Sequence, residues 1–213
     1  MKPPRNIRLA GLLSCLLLLG ASLPAAAVEL TPLVGVRFGG NFNGNDNCYC
    51  GGYYYPSLSL DSSVSYGAEL DIPFARGPYA LEVYFSHQNT TLNNGDLLTP
   101  QIHDMDVNVI HLGVTAALPT ADKRFSWLFM ASGGATVFDA HSSSQTYPSL
   151  GLGVGVRWMA NEHVGLRGDL RGIFSFVGDG NSIIVCNYGC SGYYSSGSVI
   201  AQGEASLGLV VRF

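Results

Sequence analysis

From residue 28 onward, apolar side chains fall on one parity of the chain and small or polar ones on the other, in segments of a dozen or so residues. A period of two marks a strand with two unlike faces, and nowhere is the 3.6-residue period of a helix sustained. The C-terminus is clearest: Val199, Ala201, Gly203, Ala205, Leu207, Leu209, Val211 and Phe213 oppose Gln202, Glu204, Ser206, Gly208 and Arg212. Upstream, Val164, Leu166, Leu170, Phe174 and Phe176 oppose Arg167, Asp169, Arg171 and Ser175. The first segment sets Val34, Val36, Phe38 and Phe42 against Glu29, Thr31 and Arg37, and the second sets Leu60, Val64, Tyr66, Leu70 and Ile72 against Asp61, Ser63, Glu69 and Asp71. The third has Tyr79, Leu81, Val83 and Phe85 against Glu82, Tyr84 and Ser86, and the sixth has Leu150, Leu152, Val154, Val156 and Trp158 against three glycines and Arg157.

Two segments break the rule. In the fourth, Met105, Val107 and Val109 are odd whereas Ile110, Leu112, Val114 and Leu118 are even, and a bulge near Val109 and Ile110 is expected to restore one outward face. In the fifth, Phe125, Trp127, Phe129 and Val137 oppose Ser126, Ser132 and Thr136, but Leu128 and Met130 interrupt the polar parity. The count is eight strands. Their connections alternate between short ones, at 75–77, 119–123 and 159–162, and long ones. That asymmetry fits an eight-stranded antiparallel up-and-down transmembrane β-barrel, whose strands need about 9–11 residues to cross the apolar band. A soluble barrel or sandwich would put the apolar parity inside and the charged parity in water. Aromatics gather near the expected strand ends, with Phe74, Tyr79, Trp127, Trp158 and Phe213 toward the short turns and Phe42, Phe85, Phe174 and Phe176 toward the long loops, as interfacial girdles do.

If the apolar parity faces lipid, the other fills the bore with both signs of charge. Arg37, Arg157, Arg167, Arg171 and Arg212 share it with Glu29, Asp61, Glu69, Asp71, Glu82, Asp169 and Glu204. Eight strands leave room for little but these side chains, so a paired interior network is expected. A narrow small-solute channel lined by the same groups is the alternative.

The first 27 residues read as a cleaved export signal: Lys2, Arg5 and Arg8, an apolar run from Leu9 to Leu19, and Ala25-Ala26-Ala27 as the cleavage site, leaving residues 28–213 as the barrel domain. Losing those three cations takes the formal net charge from −4 to −7, which argues against nucleic acid as a partner.

On Gly151-Leu-Gly-Val-Gly-Val-Arg-Trp158, Val164-Gly-Leu-Arg-Gly-Asp-Leu-Arg-Gly172 and the terminal Val211-Arg-Phe213, the chain resembles the OmpA- and OmpX-like small outer-membrane β-barrel proteins of Gram-negative bacteria over residues 28 to 213. The resemblance implies an outer-membrane location, contact with outer-membrane lipid, and Phe213 with its alternating neighbours as the insertion signal read by the barrel assembly machinery. It departs from the group in lacking a peptidoglycan-binding domain and in carrying loop cysteines.

Those cysteines are Cys48 and Cys50 in the first long loop and Cys186 and Cys190 in the last. The first and eighth strands of a closed barrel are neighbours, and export favours oxidation, so two bonds joining the two loops are expected. A Cys48–Cys50 bond is awkward because extended residues two apart hold their Cβ atoms too far apart. A thiolate metal site with His103 or His141 is the alternative, on a spacing that is not a standard zinc pattern. Seven tyrosines, Tyr49, Tyr53, Tyr54, Tyr55, Tyr188, Tyr193 and Tyr194, lie in the same loops and suit an extracellular ligand, or simply packing within the loops. A lipid-modifying hydrolase would rest on Asp139, His141 and Ser143, without a surrounding signature. The reading is therefore a non-enzymatic, monomeric surface barrel with no cofactor or metal, structural or adhesin-like in role.

Overall fold

A computed structural model describes residues 28–43, 49–50, 53–54, 57–74, 77–93, 104–140, 143–177, 182–184, 193–195 and 199–213. Its barrel is built from β1 (Glu29–Gly39), β2 (Ser63–Pro73), β3 (Tyr79–Asn93), β4 (Asp104–Pro119), β5 (Phe125–Ala140), β6 (Ser143–Met159), β7 (Val164–Phe176) and β8 (Val199–Arg212). Each pairs antiparallel with the next, and β8 returns to β1 from Glu29↔Arg212 to Gly39↔Gln202. The ring is closed and leaves no strand edge for another chain to extend.

The turns after β2, β4 and β6 share one rim. They are tied by Phe74 N donating to Tyr79 O at 3.2 Å, Thr120 N to Phe125 O at 3.0 Å, and the Asn161 side chain accepting from the backbone of His163 and Val164. At the other rim Asn41–Asn43 and Ser57–Leu60 pair and continue the wall, and two separate two-stranded sheets pair Tyr49–Cys50 with Tyr53–Tyr54 and Ser182–Ile184 with Tyr193–Ser195.

The parity of each barrel strand sorts its side chains between two surroundings. Leu207 is 69% exposed and Leu170 59%, whereas Arg37 is 0% and Arg167 2% exposed. This is the reverse of a water-soluble protein. Phe74, Tyr79, Phe125, Trp127 and Phe213 ring the short-turn end of the outer surface, and Phe38, Tyr66, Phe85 and Phe176 stand on it toward the long loops. Strands of 11 to 17 residues are long enough to cross the apolar band.

Two expectations are corrected. β4 contains no bulge near Val109 and Ile110: it pairs without a break from Tyr79↔Ala116 to Thr91↔Asp104 with β3, and from Met105↔Ala140 to Pro119↔Ser126 with β5. Met105, Val107 and Val109 instead point into the bore, each at most 1% exposed, because its upper part is lined by apolar groups. Leu128 and Met130 are buried on the inward parity of β5 for the same reason.

The slip lies elsewhere. Between Leu60↔Leu92 and Ser65↔Gln88, residues 61–64 of one strand oppose only 89–91 of the other, a one-residue excess just outside β2. Asp61 N donates to Thr91 O and Thr90 Oγ1 to Asp61 O across it. Leu60, expected on the outward face with Val64, is consequently turned in and 5% exposed, while Val64 is 60% exposed. Beside it on the first strand, Gly39 and Gly40 adopt φ of 80° and 98°, where a Cβ would be strained, and Gly40 O accepts from Leu60 N.

Candidate functional site

The bore is the place where reactive groups converge. β7 contributes Arg167, Asp169 and Arg171 on its inward parity, and β2 and β3 face them across the bore with Glu69, Asp71 and Glu82. Arg167 Nη1 lies 2.7 Å from both Glu69 Oε1 and Asp71 Oδ2, and its Nε donates to Asp169 Oδ2 at 2.8 Å. Arg171 Nη1 reaches Glu82 Oε1 at 2.6 Å and Nη2 reaches Glu69 Oε2 at 3.1 Å. Glu69 therefore bridges both guanidiniums. Thr115 donates to the other Glu82 oxygen at 2.7 Å, and the Arg171 guanidinium stacks 4.0 Å over the Tyr84 ring.

A second pair lies higher. Arg37 and Glu204 are register partners on β1 and β8, joined at 2.7 Å, and Glu204 also accepts from the Tyr84 hydroxyl and from Ser86. At the short-turn mouth Glu29 holds Arg157 and Arg212, each at 2.5 Å. Beneath these groups opens a vestibule of about 590 Å³ whose wall includes Glu29, Asp71, Tyr79, Thr115, Arg157 and Arg212. Asp61 sits at the bulge, where its carboxylate accepts from Thr91 Oγ1 at 2.7 Å.

Room for these long side chains comes from β6. Its inward parity carries Gly151, Gly153 and Gly155, and a Cβ at 155 would lie 2.1 Å from Asp169 Oδ1, one at 151 2.8 Å from His111 Nδ1. The G-x-G-x-G run is thus the recess into which side chains of the neighbouring β5 and β7, and His111 of β4, pack. His111 fills the middle of the bore, its two ring nitrogens against Ser132 Oγ at 3.2 Å and Ser149 Oγ at 2.8 Å.

Above this level the lining changes. Val109 and Ile173, the next inward residues above His111 and Arg171, form one apolar cluster with Tyr84 and with Leu33, which lies below Arg37 on β1. Met105, Val107, Phe138, Tyr147 and Ile200 surround it, each at most 1% exposed. Gln88 and Gln202 supply polar contact there, 3.4 Å apart, with Gln88 also donating to Ser63 Oγ.

Parity had marked most of these groups; the bridging roles of Glu69 and Glu204 and the sulfur of Met130, 2.9 Å from Arg167 Nη2, had no signal beyond inward placement. Cys48, Cys186, Cys190, His103 and His141 lie outside the described residues, and Cys50 is placed only as part of the Tyr49–Cys50 strand. Asp139 is exposed at the outer end of β5, and Ser143 begins β6. His87 is on the outward parity near the long-loop rim, 2.7 Å from Asn108 Oδ1 and tilted against Tyr66. Phe213 is 73% exposed beyond β8, its N donating to Val28 O.

No family model and no curated protein matches the chain. Solved structures do. Neisserial surface protein A is similar at 14% identity, covering 89% of this chain and 98% of that one, with a TM-score of 0.54. The N-terminal β-barrel domain of Pseudomonas aeruginosa OprF has 13% identity over 88% and 98%, TM-score 0.46, and the attachment invasion locus protein Ail of Yersinia pestis 12% over 87% and 98%, TM-score 0.40. With its closed eight-strand ring, apolar exterior and charged bore, the chain has the fold of a small outer-membrane β-barrel.

Proposed function

We propose that this protein is an integral outer-membrane barrel of a Gram-negative bacterium, exported by cleavage after Ala27, whose plugged bore serves as a rigid base for a recognition surface made by the long loops. The observation that carries the reading is the inverted polarity: exposed large apolar side chains on every strand around a bore of buried arginines and carboxylates. Only hydrocarbon covers such an exterior without loss, and a closed ring satisfies its backbone there.

A plug is favoured over a small-solute channel because the apolar cluster of Leu33, Tyr84, Val109 and Ile173 spans the bore. Phe213 and its outward neighbours are the segment that the barrel assembly machinery reads. The loops of β1–β2 and β7–β8 act together: Tyr193–Ser195 lies beside Asn41–Asn43, which suits bonds joining Cys48 and Cys50 to Cys186 and Cys190 and a shared tyrosine-rich face. No catalysis is part of this reading, and lipid A is expected to be unchanged by His141→Ala. The protein acts as a monomer.

The experiment is membrane fractionation of the full chain, followed by gel migration with and without boiling and by planar-bilayer recording. Outer-membrane recovery, faster unheated migration and electrical silence are expected. Recovery in a soluble fraction overturns the membrane reading, and steady conductance overturns the plug. Non-reducing mass spectrometry that found only bonds within one loop would remove the interloop pairing.

A further inference from the structure

Within the bore the charges do not cancel. Arg167 and Arg171 stand against Glu69, Asp71, Glu82 and Asp169, so in this layer carboxylates outnumber guanidiniums, while Arg37 and Glu204 balance each other above it and Glu29 faces both Arg157 and Arg212 below. Isolated charge in such surroundings is costly and is met by a counter-charge. Glu69, Asp71 and Glu82 each bring a carboxylate oxygen within 4.8 Å of one another.

Among the described residues, three buried oxygens that accept no hydrogen bond fall on one patch of the wall: Thr31 Oγ1, Glu69 Oε1 and Asp71 Oδ1. Thr31 and Glu69 are register partners on β1 and β2, and Asp71 is the next inward residue beyond Glu69. Thr31 is 1% exposed, its methyl lies toward Gly208 on β8, and its hydroxyl has no hydrogen-bond partner. Glu69 Oε1 has Arg167 beside it as an ion pair, but Asp71 Oδ1 and the threonine hydroxyl have no donor.

We infer that Thr31, Glu69 and Asp71 form a binding site for one hard divalent cation, calcium or magnesium, filled from the short-turn mouth. An all-oxygen set of two carboxylates and a hydroxyl is the chemistry such ions select, water from the adjoining space completing the shell. The ion's positive charge lies against the layer in which carboxylates outnumber guanidiniums. Asp71 lines the vestibule, so an ion reaches the site without crossing the apolar cluster above. The site uses carboxylates in the bore and is independent of the loop cysteines.

The test is isothermal titration of calcium and of magnesium into full-length barrel in detergent after chelator treatment, with the urea midpoint of unfolding read in parallel. One ion per barrel and a higher midpoint with cation are expected. Asp71→Asn should weaken binding at least about tenfold, the scale seen when even supporting groups of a metal site are lost. Thr31→Val should weaken it several-fold and serves if the first variant does not fold; Asp61→Asn, at the far rim, should leave it unchanged. The proposal is overturned by the absence of heat with either ion at millimolar concentration. It is equally overturned by binding that survives both site variants, or by neutralisation through protons alone, seen as a carboxylic-acid infrared band insensitive to added cation.

Discussion

Below Tyr84 the bore is filled by Arg167 and Arg171 against four carboxylates; above it Val107, Val109, Phe138, Ile173 and Ile200 meet with scarcely a charge. Both fillings are close-packed, yet they differ in how they fail. In the charged layer each group is tolerable only because its partners are present, so deleting one strands the others in a poor solvent. In the apolar layer a deletion leaves a hole whose cost follows its volume. The two also differ toward water: the charged layer adjoins an open vestibule, whereas the apolar layer seals the bore from the long-loop side.

The sharpest way to break the comparison is Arg167→Met, which leaves Glu69, Asp71 and Asp169 short of their shared cation. A loss of about 3–5 kcal/mol is expected, read as a lower urea midpoint for the barrel in lipid vesicles. Ile173→Ala in the same assay should cost about 2–4 kcal/mol, and unlike the arginine variant it should admit ions in bilayer recordings, since it thins the apolar cluster. If both variants conduct equally, the seal is not where we place it. Gly155→Ala pushes a methyl against Asp169 and should cost about 1–3 kcal/mol, with Gly172→Ala, which meets only the movable Phe174 ring and a carbonyl at 3.8 Å, costing less. The smallest effect is expected from Arg212→Met, about 1 kcal/mol or less, because Glu29 keeps Arg157 and the site is partly open to solvent.

The alternation made the fold legible before any coordinates. Arg167, Asp169 and Arg171 share one parity while Leu166 and Leu170 hold the other, and in a strand that means one face. Applied strictly, the rule misleads at Met105, Val107 and Val109: their parity calls for a bulge that would turn them outward, whereas they face inward in an unbroken register. An apolar residue on the inward parity is ambiguous, because lipid and a dry bore both accept it. The real slip near Asp61 hides among polar residues, where a one-residue excess leaves no mark on hydropathy. The partners of the bore charges were also illegible, since Glu69 reaches Arg167 and Arg171 across the diameter rather than along a ladder.

What the sequence by itself determined is which side chains lie on each face of each strand, since the strand period depends only on local backbone geometry. It also set the strand count and the rim with short turns. Only the tertiary structure decided which carboxylate meets which guanidinium, where the charged filling yields to the apolar one, and that Thr31, Glu69 and Asp71 come to one patch. Those are matters of distance across a closed ring, and no pattern along a single strand carries that distance.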